Sequence, residues 1–346
     1  MAELFEVKAV DHRIYQESLQ DFLPSRIVDA HTHVWKAEHE QRRPESFSRV
    51  VSWPSRVAKD NSVEDLVEGY RLLFPGKSVT PLMFASVYDA DSIAAMNGYV
   101  SECAARTKYP ALIFAHPTWT AKELEKRVKD GRFMGAKVYL SMSPAYIPEK
   151  EIRIYDFLPS HQLDVLDRNG WVVMLHIPRD GRLRDPVNLA QMVEIEKNWP
   201  RLKVIIAHVG RAYCDEDIGD AFQRLSVTKN MVFDFSANTN DRVFEAALRG
   251  FGPDRCLFGS DMPITRMRMR RICEGGRYIN VVPRGLYGDV SGDRNMREAD
   301  PPDSDTISFF MYEEVLAIRK AVERIGLRKA DVESIFYGNA KRFLKL

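Results

Sequence analysis

Short apolar runs rich in Val, Ile and Phe recur along the chain: Arg26 to His33, Pro81 to Tyr88, Ala111 to His116, Gly135 to Leu140, Trp171 to His176, Lys203 to His208, Met231 to Phe235 and Cys256 to Asp261. Their hydrophobicity is nearly continuous instead of alternating, as in parallel strands covered on both faces. The segments between them carry helix signals: the capping-box patterns Ser62-x-x-Asp65 and Thr120-x-x-Glu123, and Asp185-Pro186 ahead of Leu189, Met192, Val193 and Ile195. Most strand starts are about thirty residues apart, the length of one βα unit. Eight such units predict an α/β fold, a (β/α)8 TIM barrel. A doubly wound open sheet is the alternative, but no G-x-G-x-x-G or G-x-x-x-x-G-K turn follows any run.

Two connections exceed what a barrel needs, residues 36–61 after the first strand and 262–305 after the last. Both are expected over the face where the strands end. The second, with TRMRMRRICEGGRY and PPDSD, reads as an irregular excursion and not as a separate domain. One domain over 1–346 is expected.

Composition narrows the function. The chain has 346 residues, 45% of them hydrophobic, enough for a large core, and Lys plus Arg (50) balance Asp plus Glu (49). No global field would recruit nucleic acid or an anionic membrane, so a small molecule is the expected partner. The opening MAELFEVKAVDHRIYQ lacks an apolar signal region and no apolar run reaches bilayer length, which points to the cytoplasm. Cys103, Cys214, Cys256 and Cys273 are far apart and form no C-x-x-C pair, so reduced structural thiols are expected.

The chemistry gathers at strand ends. In VDAHTHVW, His31 and His33 alternate and share one side of an extended strand, so both imidazoles can reach one ion. VVMLH ends on His176, VIIAH on His208 and CLFGSD on Asp261. In a barrel these ends converge on one rim, which puts five N/O donors around one cavity.

H-T-H, strand-terminal His176 and His208, and the GSD of Asp261 resemble the ligand pattern of the amidohydrolase superfamily. The ending IFYGNAKRFL is similar to the I-x-x-x-N-A-x-R terminus of its amidohydrolase-2 branch, which includes hydrolases, lactonases and aminocarboxymuconate-semialdehyde-type decarboxylases. The resemblance implies one divalent ion, zinc first and manganese as the alternative, held by His31, His33, His176 and Asp261. Such an ion lowers the pKa of a bound water to ~7. Asp261 is then the proton shuttle, and His208 the residue that polarises the scissile carbonyl or joins a second ion.

The resemblance also reaches Lys137 in GAKVYLS, where binuclear relatives carry a carboxylated lysine; substrate-anion binding or structure is the reading preferred here. Arg179, Arg211 and the group Arg266, Arg268, Arg270 and Arg271 follow strand ends, where guanidinium forks suit a carboxylate or phosphate, so the substrate is expected to be anionic. Tyr139, Tyr213, Trp35 and Trp53 are candidates for an aromatic wall, with Tyr139 assigned to substrate. His116 before Pro117 reads as a turn cap; His12, His39 and His161 have no partners in the pattern.

Three functions fit. Hydrolysis of an amide, ester or lactone in a small carboxylated molecule is preferred. Nonoxidative decarboxylation uses the same ligands, but decarboxylase relatives tend to be glycine-rich after the sixth-strand histidine, where this chain has HVGRAY. A catalytically inactive binding barrel would have no need of five donors on one rim. The two long connections are candidate contacts for a homo-oligomer.

Overall fold

The computed structural model of the chain describes residues 4–39, 56–86 and 89–346. Trp53, most of the 36–61 connection and the end of the run Pro81 to Tyr88 lie outside them. The strands are β1 (Arg26–His33), β2 (Ser78–Phe84), β3 (Ile113–Phe114), β4 (Gly135–Val138), β5 (Val172–Leu175), β6 (Lys203–Ile206), β7 (Val232–Asp234) and β8 (Cys256–Leu257). β3 to β8 form one parallel ladder, and β1 pairs with β2 in parallel.

Two seams close the ring. Met83 bridges Ala111, with Met83 N donating to Pro110 O and Leu112 N to Met83 O, both at 2.9 Å. On the other side Ala30 N donates to Phe258 O at 3.0 Å, Asp261 N to His31 O at 2.8 Å and His33 N to Met262 O at 3.0 Å. The protein is a (β/α)8 barrel, as the run spacing predicts.

Among the described residues the α-helices of six residues or more are α1 (Ala9–Ile14), α2 (Val63–Leu73), α3 (Ile93–Thr107), α4 (Ala121–Asp130), α5 (Ser160–Asn169), α6 (Pro186–Asn198), α7 (Asp241–Phe251), α8 (Phe310–Ile325) and α9 (Asn339–Leu344). Their starts follow the sequence signals. Ser62 and Asp65 cap one another at α2, Thr120 Oγ1 accepts from Glu123 N, and Asp185 accepts from Val187 N and Asn188 N with Pro186 in the first turn.

Each barrel strand is buried on both faces. Val172 and Met174 point inward while Val173 and Leu175 pack beneath the helices, which is why the runs look continuous instead of alternating. Val28, Ala30, Leu82, Leu112, Ile205 and Leu257 fill the interior, and Ala340 and Leu344 of α9 seal its floor. In β1 the pairing slips between Asp29 and Thr32, three residues there spanning two of β2. This bulge shifts the alternation by one, so His31 and His33 face the cavity above an inward Ala30.

Two expectations need correction. The 262–305 segment is not irregular: β9 (Arg270–Glu274), β10 (Arg277–Pro283) and β11 (Met296–Ala299) form a sheet, antiparallel for β9/β10 and parallel for β10/β11. The pair Gly275 and Gly276, with φ of +57° and +72°, makes the two-residue turn between β9 and β10. Cys214 and Cys273 are joined in a disulfide across a sequence separation of 59, because the insert folds back onto the loop after β6. Cys103 and Cys256 are free and buried. Among the described residues no helix is long and apolar enough to cross a membrane.

Candidate metal centre

The carboxyl ends of β1, β5, β6 and β8 bring His31, His33, His176, His208 and Asp261 together. Ligand atoms of His31, His208 and Asp261 lie within 4.8 Å of one another. His33 Nε2 is 3.1 Å and His31 Nε2 3.4 Å from Asp261 Oδ1, and His176 Nε2 is 2.7 Å from His208 Nε2.

What turns these rings inward is the set of acceptors behind them. His31 Nδ1 donates to Asp234 Oδ2 at 2.9 Å, His33 Nδ1 to Ala85 O at 3.3 Å and His208 Nδ1 to Ser236 O at 2.9 Å. An imidazole whose Nδ1–H is engaged presents an unprotonated Nε2 to the other side. Three such lone pairs converge beside Asp261. His31 Nε2 is sealed from solvent without a hydrogen-bond partner, and two ring nitrogens opposed at 2.7 Å must share a proton or a cation. The donors fit a divalent ion.

The electrostatics agree. Burial lowers the pKa of His208 to about 4, and burial together with His208 holds His176 well below the ordinary imidazole value. Both are neutral imidazoles at neutral pH. Burial opposes ionisation of Asp261, but the charge and N–H that His31 and His33 offer when protonated outweigh it and hold the carboxyl below the usual range. Asp234 is likewise held at about 2, His31 and Ser236 overcoming its burial.

Backbone strain collects here. His208, Val209, Arg211, Ala237 and Asp261 have φ between +47° and +62°. Such conformations cost about 1–3 kcal/mol each in residues other than glycine and persist only where the surroundings enforce them. Asp234 Oδ1 accepts from His208 N at 2.8 Å, and His31 O from Asp261 N at 2.8 Å.

Lys137 on β4 is buried at 1% exposure, its Nζ without a hydrogen-bond partner and 4.8 Å from the Phe84 ring centroid. Burial lowers its pKa to about 8 against the pull of Asp261 and Asp234. The Tyr139 ring meets that of His176 edge-on at 4.8 Å, and Tyr213 lies 6.5 Å from His208. Trp35 is instead a buried packing residue whose indole N–H donates to Lys59 O.

The arginines divide. Arg211 Nη1 donates to Ile177 O and Pro178 O, Arg179 pairs with Asp185, Arg268 with Asp11 and Arg270 with Glu313. Arg266 lies buried over the Phe5 ring. His116 Nδ1 contacts Thr118 Oγ1 at 2.7 Å, a turn cap as expected.

Sequence reasoning missed Asp234 and Ser236. Asp234 is fully buried and organises two of the histidines. Its one signal was a lone carboxylate inside the apolar run MVFDFS.

Several solved structures share this architecture at low identity. An amidohydrolase from Burkholderia multivorans with bound zinc superposes with a TM-score of 0.57 at 15% identity, covering 92% of this chain and 99% of that one. A probable 2-pyrone-4,6-dicarboxylic acid hydrolase from Acinetobacter baumannii with bound citric acid gives 0.55 at 14%, covering 92% and 99%. A dihydroxybenzoic acid decarboxylase from Polaromonas sp. JS666 with manganese gives 0.55 at 16%, covering 93% and 98%. At these identities the likeness establishes the fold. No curated protein matches the sequence. The model of the amidohydrolase family matches residues 28–279, and the chain belongs to that family.

Proposed function

We propose that the protein is a metal-dependent hydrolase that cleaves an ester, lactone or amide bond in a small carboxylated substrate. One observation carries this reading: the Nε2 atoms of His31, His33 and His208 converge beside Asp261, each ring already donating through Nδ1. His31, His33, His176 and Asp261 would hold one divalent ion, zinc first and manganese as the alternative. When bound, the ion supplies a Lewis acid and lowers the pKa of a coordinated water to ~7.

Asp261, ionised, takes the proton of the attacking water and returns it to the leaving group. His208 arrives with its Nδ1–H engaged by Ser236 O, so its inward nitrogen serves as a ligand or base and does not donate to a carbonyl oxygen. The developing negative charge falls instead to the ammonium of Lys137, which has no other hydrogen-bond partner among the described residues. Tyr139, against His176, walls the pocket, and Arg211 and Arg179, which also bond to Ile177 O, Pro178 O and Asp185, would be candidate contacts for a substrate carboxylate.

The test is elemental analysis of protein purified without added metal or chelator, beside the His31→Ala/His33→Ala double variant, followed by turnover of carboxylated lactones and esters. Stoichiometric zinc or manganese lost in the variant, with ester turnover in the wild type alone, is the expected result. Equal metal content in both proteins would end the reading.

Decarboxylation is the second reading. It needs a proton donor for carbon, and the buried, unpartnered Nζ of Lys137 is such a group. Release of carbon dioxide from a carboxylated substrate, without consumption of water, would select it.

A further inference from the structure

The insert built from β9, β10 and β11 carries a guanidinium that the reading above does not use. Arg271 of β9 stacks on three aromatic faces, its Cζ 4.7 Å from the ring centroids of Tyr213, Tyr278 and Phe310. Nε donates to Asn280 Oδ1 at 2.8 Å and Nη1 to Ala237 O at 2.5 Å. Among the described residues no carboxylate pairs with it. Among the described residues its Nη2 has no partner, and it is not one of the polar atoms sealed from solvent.

The position faces the metal centre. Ala237 follows Ser236, the residue that holds His208, and the Tyr213 ring neighbours both the Arg271 guanidinium, at 4.7 Å, and the His208 ring, at 6.5 Å. Asp261 is near enough to act on the Arg271 charge, and Arg182, paired with Asp217, stacks on the same two tyrosines at 5.3 and 5.1 Å. One residue after Tyr213, Cys214 is bonded to Cys273, two residues after Arg271. The disulfide ties the strand that carries the guanidinium to the loop that follows His208.

We propose that Arg271 is the residue that selects a carboxylated substrate, its Nη2 edge offered to a substrate carboxylate while the Cys214–Cys273 bond keeps β9 seated over the metal centre. The proposal deepens the hydrolase reading and rests on it for the reaction, though not for the binding step. A guanidinium held flat by aromatic rings has lost its rotamer freedom before the ligand arrives, which strengthens a charge-assisted contact. The rings beside it suit an unsaturated or aromatic carboxylate over an aliphatic one.

The test compares wild type, Arg271→Met, Arg271→Lys and Cys273→Ser, all checked for equal metal content and for a folded circular dichroism spectrum at the assay temperature. Binding of isophthalate and of its neutral diamide is measured by titration calorimetry, and turnover with a carboxylated and a neutral aryl lactone. Arg271→Met should weaken isophthalate binding and raise KM for the carboxylated lactone about tenfold to a hundredfold, leaving the neutral compounds unchanged. Arg271→Lys should recover part of the loss, and Cys273→Ser should show a smaller loss of the same kind. Equal isophthalate binding by wild type and Arg271→Met would overturn the proposal. Isophthalate discrimination without turnover of any carboxylated lactone, ester or amide would uphold the anchor while retiring the hydrolase reading.

Discussion

Asp234 grips His31 through one carboxylate oxygen, Oδ2 to Nδ1 at 2.9 Å, while its other oxygen accepts from the backbone N–H of His208 at 2.8 Å. One side chain on β7 thus sets the tautomer of His31 on β1 and the backbone of His208 after β6. Asp234→Asn keeps the volume but removes the charge behind His31. Metal affinity should fall about tenfold to a hundredfold with the fold intact, measured by competition with a chromogenic chelator. Unchanged affinity would mean that His31 is positioned by packing alone.

Gly259 lies where β8 passes beside β1. A Cβ there would sit 2.9 Å from His31 Cβ and 3.3 Å from His31 N, atoms that the strand cannot move aside. Gly259→Ala should displace His31 and weaken metal retention by about tenfold. The readout is zinc content after dialysis against a weak chelator, with circular dichroism to confirm the fold.

The buried imidazoles predict a pH response. His208 takes up its proton near pH 4 in the folded protein, whereas an unfolded histidine does so near 6.5. Between those values the unfolded chain binds more protons, so stability is complete above about pH 6.5 and is lost as pH falls towards 4. The slope is ~1.4 kcal/mol per pH unit for each such imidazole. Urea midpoints of chelator-treated protein across this window should show it, and His208→Gln should flatten it.

Arg268 and Asp11 form a buried ion pair, 7% and 0% exposed, with Ser308 Oγ donating to Asp11 Oδ1 at 2.7 Å and Arg268 stacked over Phe309. Asp11→Ala leaves the guanidinium uncompensated and should cost ~3–5 kcal/mol, read as a lowered unfolding midpoint. The double variant Asp11→Leu/Arg268→Met should recover much of the loss.

How far the sequence reaches depends on where the information is stored. The barrel is legible because covered parallel strands have to be apolar on both faces, and the donors because histidine and aspartate at strand ends have few other uses. Asp234 hides because its role exists only through partners on β1 and β6. Arg268 looks like part of a solvated basic run until Asp11, 257 positions away, appears beside it. The Cys214–Cys273 bond is invisible for the same reason, although the Gly275-Gly276 turn that folds the insert back was written in the chain.

The floor of the barrel has a bearing on how the protein is made. Phe258 N donates to Ile335 O at 2.9 Å, Asn339 Nδ2 to Cys256 O at 2.9 Å, and Lys203 Nζ to Phe343 O at 2.8 Å, so the segment sealing the interior is fastened to β6 and β8. All eight strands leave the ribosome before Ala340 and Leu344 do. The apolar inner face of the strands therefore stays unsealed until Ala340 and Leu344 have emerged, and closure of the floor waits on this segment.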